Sequence, residues 1–236
     1  MLNIIAITHS PYKEKFAVPR QPGLVPSAKG LLEILPPYND INAFSGLDDY
    51  SHLWLMFVFH KNKTPETWSP MVRPPRLGGN KRVGVFATRS PNRPNPIGLS
   101  VVEYHGIIQQ KGKLFLQISC LDLVDGTPIV DIKPYIPYAD AKPNAKAGFA
   151  QQAPQGLMPI QFSEDALQVL QYEPDLEILI TEVLQQDPRP AYKKNKEDAK
   201  IYAMHLLDFN IFWHNTQKCS TVTAIKPYAS QINNHL

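Results

Sequence analysis

"KLFLQISCLDLVDGTPIVDIKPY", Lys113 to Tyr135, holds two runs of β-prone residues on either side of Asp125-Gly126. An Asp-Gly pair tolerates positive φ at both central turn positions, so its place between such runs predicts a β-hairpin. Similar short runs occur upstream in "NIIAITHS" (Asn3 to Ser10) and "KRVGVFAT" (Lys81 to Thr88). "SHLWLMFVFH" (Ser51 to His60) is almost continuously apolar. It suits a strand buried on both faces or the end of a core helix, and periodicity does not separate the two; a strand is favoured. About seven such segments, with few helical stretches among them, predict a mainly β fold whose N-terminal domain is a closed or nearly closed β-barrel.

The pattern dissolves in "YADAKPNAKAGFAQQAPQG" (Tyr138 to Gly156), which reads as a linker. Beyond it, "SEDALQVLQYEPDLEILITEVLQQD" offers Ser163 as an N-cap with Glu164 and Asp165 in the first turn, then Leu176, Leu179, Ile180, Val183 and Leu184 on one helical face. Two helices are expected there. A basic, Pro-containing loop follows, and then "IYAMHLLDFNIFWHN" and "STVTAIKPY", which read as a hairpin. The predicted organisation is a barrel over 1–142, a linker over 143–160 and a small α+β C-terminal domain over 161–236.

With 43% hydrophobic and 19% charged residues, the 236-residue chain has the composition of a soluble globular protein, and its 23 prolines predict many loops. No apolar run approaches the roughly 20 residues that cross a bilayer, and the N-terminal stretch lacks the pattern of a signal peptide. No membrane association and a cytoplasmic location are expected. Cys120 and Cys219 read as two buried thiols rather than a disulfide, and the seven histidines show no metal spacing, so no metal is expected.

A net charge of +3 does not by itself predict a nucleic-acid partner. Local charge says more. "RPPRLGGNKRVGVFATRSPNRPNPIG" (Arg73 to Gly98) carries six basic residues, no acidic ones, five prolines and four glycines. Cations so crowded repel one another unless anions arrive, and a backbone stiffened by proline loses less entropy on binding. The block reads as a phosphate, carboxylate or nucleic-acid site, with a solvated basic surface as the alternative. "DPRPAYKKNKEDAK" (Asp187 to Lys200) is a second basic stretch.

Three further features carry chemistry. The Pro- and Gly-rich "KEKFAVPRQPGLVPSAKG" (Lys13 to Gly30) presents Arg20 and Gln21 to a small ligand, or only connects strands. Asp122 lies between Leu121 and Leu123, where a carboxylate needs a partner. His60 and Lys61 end an apolar run where a buried element meets solvent. There is no P-loop, no Gly-x-Ser-x-Gly and no dinucleotide fingerprint, which argues against nucleotide hydrolysis on a P-loop and hydride transfer on a Rossmann domain.

Taken together, "SPYKEKFAVPRQPG", "SHLWLMFVFH", the Arg73 to Gly98 block, "DLVDGTPIVDIKPY" and "DPRPAY" resemble the TsaA/TrmO (YaeB-like) family of tRNA methyltransferases. The resemblance runs from about Ile7 to Tyr138 and resumes at Asp187 to Tyr192. It implies a β-barrel enzyme, active as a homodimer, that uses S-adenosyl-L-methionine to methylate N6 of threonylcarbamoyladenosine at position 37, in the anticodon loop of threonine tRNA. It also implies cofactor-binding roles for Pro19, Arg20, Gln21, His60, Lys61, Arg89, Leu99, Asp122, Leu123, Val124 and Asp125. Asp187, Arg189 and Tyr192 are the expected substrate-handling, catalytic group. Without catalysis, the same features would describe an RNA- or nucleotide-binding barrel.

Overall fold

The computed structural model describes residues 2–62, 67–152, 157–189, 193, 198–216 and 219–228. Its first part contains β1 (Ala6–His9), β2 (Lys29–Ile34), β3 (His52–Val58), β4 (Met71–Val72), β5 (Val83–Gly84), β6 (Ile97–Gln110), β7 (Lys113–Ser119) and β8 (Pro128–Pro134). Six of these strands form a closed barrel in the order β1-β2-β7-β6-β3-β8, completed by pairing of β8 with β1. Every neighbouring pair is antiparallel.

Period-two alternation fills the interior. Leu53, Leu55 and Phe57 of β3 point inward, and they meet Leu32, Val102, Leu116, Ile118 and Ile129 in one buried cluster. Trp54 and Met56 point outward and are only partly covered, so the apolar run of β3 is a strand whose second face stays on the surface. Gly98, opposite Phe57 in the ladder, is required: a Cβ there would collide with the Phe57 ring.

Two expectations are corrected. Asp125-Gly126 does not close a hairpin, because β7 pairs with β2 and β6 while β8 pairs with β1 and β3. A tight turn is present, with Gly126 at φ 79° and the Thr127 amide bonded to the Val124 carbonyl at 3.2 Å. It lies within a connection that crosses the barrel end. Similarly, "KRVGVFAT" yields only the two residues of β5 followed by a 3-10 turn over Val85–Ala87, since β5 finds just the two-residue β4 to pair with.

A short helical turn, α1 (Pro137–Asp140), leads into exposed chain. The C-terminal part contains β9 (Ile160–Phe162), α2 (Glu164–Leu170), α3 (Pro174–Gln185), β10 (Asp198–Leu206), β11 (Phe209–Asn215) and β12 (Ser220–Pro227). Ser163 caps α2 by accepting the Ala166 amide, and Glu164 and Asp165 sit in its first turn. The five apolar residues expected on one face of α3 are its buried residues. The sheet order is β10-β11-β12-β9, with β9 parallel to β12 and the fully buried Trp213 on β11. Both cysteines are free; Cys120 is buried, whereas Cys219 is partly exposed rather than buried. Among the described residues, no helix is long and apolar enough to cross a membrane.

Candidate functional site

Antiparallel pairing all round the barrel forces the three connections β1–β2 (10–28), β3–β6 (59–96) and β7–β8 (120–127) to open at the same end. That end collects the expected cofactor residues. Pro19, Arg20 and Gln21 lie on the first connection, His60, Lys61 and Arg89 on the second, and Asp122 to Asp125 on the third; Leu99 is the third residue of β6, just below the rim.

The connections are tied to one another by the same side chains. Asp125 accepts the Ser10 amide at 2.8 Å through Oδ1 and pairs with Lys13 Nζ at 3.1 Å through Oδ2, which fastens the third connection to the first. Lys61 donates its ammonium to the Lys13 carbonyl at 2.9 Å, while its own carbonyl accepts from Lys15 Nζ at 3.0 Å. The His60 ring stands beside Gly126. Burial lowers its pKa, helped by the Lys61 charge and opposed by the Val58 carbonyl and by Asp125. Arg89 donates to Gln21 Oε1 at 2.6 Å, linking the second connection to the first.

Asp122 accepts the Ser100 hydroxyl at 2.5 Å. Burial pushes its carboxyl up to about 6, against the opposing effects of Ser100, its own backbone amide and the Arg89 charge. Leu123 is buried in the core, so only its backbone reaches the rim. Leu99 projects outward, 52% exposed. It forms the wall of an open cleft of about 440 Å³, with Val101 beside it, His52 and Trp54 from β3, Pro22 and Arg89 on the upper lip, and Tyr135 and Asp140 below. Trp54 Nε1 donates to Asp140 at 2.9 Å. A second hollow, of about 530 Å³, lies between α2 and Phe209; Asp165 and Glu173 on its rim make it unsuited to an anion.

Asp187 and Arg189 follow α3. Arg189 is fully buried and pairs with Asp187 in bidentate fashion, Nε to Oδ1 at 2.8 Å and a terminal nitrogen to Oδ2 at 3.0 Å. Asp187 takes a positive φ of 46° and faces the first connection: partial burial lowers the Arg20 pKa, and the Asp187 carboxylate opposes that shift. The two side chains are therefore engaged with each other beside Arg20. Tyr192 lies outside the described residues.

Two sorts of residue escaped the sequence reading. Trp54, His52 and Val101 form the outer wall of the cleft, and the alternation within "SHLWLMFVFH" carries that information once the core face is known. Ser100 is the polar residue at an inward position of β6, which marks it as the partner of a buried group.

The chain matches the family model described as the tRNA-methyltransferase O N-terminal domain over residues 7–141, and that of the TrmO C-terminal domain over 155–228. The chain belongs to the TrmO family. It is 53% identical to a protein of Escherichia coli named tRNA (adenine(37)-N6)-methyltransferase, over 94% of this chain and 96% of that one. It is 46% identical to a Pseudomonas aeruginosa protein named putative S-adenosylmethionine-dependent methyltransferase RcsF, over 89% and 90%. The crystal structure of TrmO from Pseudomonas aeruginosa superposes with a TM-score of 0.76 at 38% identity, covering 95% of this chain and 97% of that one. TrmO membership thus extends across the barrel and the C-terminal part, and the rim motifs lie in the first of the two matched segments.

Proposed function

We propose that this chain is an S-adenosylmethionine-dependent methyltransferase acting on N6 of adenosine 37 of tRNA, and that its preferred substrate is the threonylcarbamoylated adenosine in the anticodon loop of threonine tRNA. The observation that carries the reading is the meeting, at one barrel rim, of cations, a desolvated carboxylate and an open cleft of mixed polar and apolar lining, in a chain closely similar to a named tRNA (adenine(37)-N6)-methyltransferase.

The residues present fit the cofactor. S-adenosylmethionine combines a carboxylate, an ammonium and an apolar-faced adenine, and supplies the methyl group when bound. Among the described residues, neither Arg20 nor Arg89 has a carboxylate within ion-pair distance, so both guanidiniums suit the cofactor carboxylate. Asp122 suits the ammonium. Leu99, Val101 and Trp54 offer the flat apolar surface an adenine requires. Gln21, Lys61 and Asp125 hold these groups in place through the bonds between connections, and Pro19, His60 and Val124 stand beside them as further cofactor-site residues.

Methyl transfer is an in-line displacement to which a protein contributes alignment and exclusion of water. A carbamoylated N6 is a weak nucleophile because its lone pair is delocalised into the ring and the carbonyl, and its proton is correspondingly acidic. A nearby cation or base therefore assists. The Asp187–Arg189 pair lies beside Arg20, which supports a part for these two residues in substrate handling next to the cofactor site.

Arg73, Lys81 and Arg82 are exposed on the β3–β6 connection that also carries Trp68 and Phe86, whose rings lie 6.4 Å apart and are 51% and 71% exposed. Exposed aromatics among cations suit unstacked bases and phosphates of an RNA loop. The uncovered outer wall of β3 and β6, with Trp54, Met56 and Leu99, supports a homodimer that shields the cofactor cleft. We take the chain as a barrel over 1–142, a linker over 143–160 and an α+β domain over 161–236; matches to two separate family models, over 7–141 and 155–228, support a division into two units. The setting of such chemistry is cytoplasmic.

The test is mass spectrometry of threonine tRNA incubated with protein and methyl-labelled cofactor, comparing threonylcarbamoylated with unmodified transcript. Label on N6 of adenosine 37 in the first sample supports the reading, and cofactor-independent tRNA binding without label would replace it with a non-catalytic RNA-binding barrel.

A further inference from the structure

The connection that bears Pro19, Arg20 and Gln21 has almost no regular structure, yet it is held at both ends by the C-terminal part of the chain. At its start, the Pro11 carbonyl accepts the Leu207 amide at 2.8 Å, the Lys13 amide donates to the His205 carbonyl at 3.4 Å, and Glu14 accepts the His205 amide at 3.1 Å. Phe16 stacks on Trp213 and Tyr202, with ring centroids 5.8 and 6.3 Å apart. At its end, one oxygen of Glu182 on α3 accepts both the amide and the hydroxyl of Ser27, at 2.9 and 2.7 Å, and Gln186 donates to the Leu24 carbonyl at 3.4 Å. Between these two grips hang the three residues expected to meet the cofactor. The barrel holds the start of the same connection through Asp125 on the Ser10 amide and Lys13 and through Lys61 on the Lys13 carbonyl, and it reaches the part between the two grips through the Gly23 amide on the Cys120 carbonyl at 3.0 Å and the Gln21–Arg89 bond.

Resting on the proposed cofactor reading, we infer that Glu182 is a positioning residue for cofactor binding: through Ser27 it fixes the Arg20–Gln21 loop, and through α3 it couples the C-terminal part to the cofactor site. A carboxylate accepting two hydrogen bonds on one oxygen is a charge-assisted latch, stronger than a neutral pair. It sits on the last turn and a half of α3, one turn before Gln186 and Asp187. Movement of the C-terminal part thereby reaches Arg20 through the few residues of chain between it and the bonded Leu24 and Ser27. Any ligand that stiffens the C-terminal part tightens cofactor binding, and linkage makes the effect reciprocal.

The closing experiment compares wild type, Glu182→Gln, Glu182→Ala, Ser27→Ala and the Glu182→Ala/Ser27→Ala double variant. S-adenosylhomocysteine affinity is read by calorimetry, KM is read separately for cofactor and tRNA, and amide hydrogen exchange is read over residues 17–28. Losing a charge-assisted bond that orders a loop weakens S-adenosylhomocysteine binding in Glu182→Ala by about tenfold. KM for the cofactor rises in step, kcat at saturating cofactor changes little, and exchange at 17–28 accelerates. Ser27→Ala reproduces part of the loss, Glu182→Gln recovers part of it, and the double variant is no worse than Glu182→Ala alone. Unchanged cofactor affinity in a Glu182→Ala protein that is merely less stable would show a structural strut and overturn the inference while leaving the proposed function intact. A wild-type protein that binds no S-adenosylhomocysteine would overturn both.

Discussion

Acidification from pH 8 to pH 5 weakens cofactor binding, and the size of the loss follows from Asp122. Its carboxyl ionises near pH 6 in the free protein, pushed up from 3.8 mainly by burial. Above that pH it is a carboxylate able to hold an ammonium; below it, a neutral acid that has to lose its proton before it can. If the ammonium restores an ordinary carboxylate pKa in the complex, the shift on binding is about two units, worth up to about 3 kcal/mol at 1.36 kcal/mol per unit. Affinity is then flat above pH 7, falls toward tenfold per unit between pH 6 and 4, and has a ceiling loss of about 100-fold. Calorimetry with S-adenosylhomocysteine at half-unit steps from pH 5 to 8 reads the slope, and protons released at pH 6 appear as a dependence on buffer ionisation heat. His60 is a second titratable group at this rim, its pKa lowered by burial, so Asp122→Asn is the control. Wild-type affinity constant within twofold over that range, or an Asp122→Asn slope equal to wild type, would falsify the assignment of the ammonium to Asp122.

The same residue sets a stability prediction. A folded pKa raised above the unfolded one favours the fold below about pH 4 and loses that contribution as pH rises through about 6. Asp122→Asn is therefore more stable than wild type at pH 7, by up to about 3 kcal/mol, and equal to it near pH 4, as read by urea midpoints. Arg189→Ala leaves the buried Asp187 charge without its bidentate partner and costs about 3–5 kcal/mol; Asp187→Asn with Arg189→Met recovers most of that in thermal unfolding. Gly98→Ala drives a methyl group into the Phe57 ring and costs about 1–3 kcal/mol, while Leu99 beside it shifts and cofactor affinity falls.

The elements of this fold were legible where one physical signal acted alone. Ser163 and the five buried leucine, isoleucine and valine residues of α3 announce themselves because a cap and a 3.6-residue period are local properties. Asp125-Gly126 misled for the opposite reason. Its turn is real, but whether flanking strands pair across a turn depends on the partners the barrel offers, and β2, β6, β1 and β3 outcompete the sequential neighbour. "KRVGVFAT" likewise has strand propensity without a strand of matching length beside it. At the site, family resemblance placed residues from three separated motifs that the barrel gathers at one rim. Trp54 and Ser100 needed the fold, since which face of β3 or β6 points inward is a tertiary fact.

The basic block shows how charge counted along a chain differs from charge available to a ligand. Arg93 is bent back onto its own loop, donating to the Thr88 carbonyl at 2.7 Å with its guanidinium 5.7 Å from the Phe86 ring, so its donors hold the backbone turn. Arg76 donates to the Gln152 carbonyl. Arg89 is bonded to Gln21 at the lip of the cleft, the place that the proposed function gives to the cofactor carboxylate. Arg73, Lys81 and Arg82 remain on the exposed arm, where screening by salt is strongest and counterion release is the operative term. A single cationic segment thus divides into braces, a side chain at the cleft and an exposed edge, the last two being the parts that the proposed function assigns to cofactor and RNA. The division follows from the backbone path: proline fixes φ and Gly78 and Gly79 take the left-handed conformation other residues avoid, so arginines a few positions apart point into different surroundings.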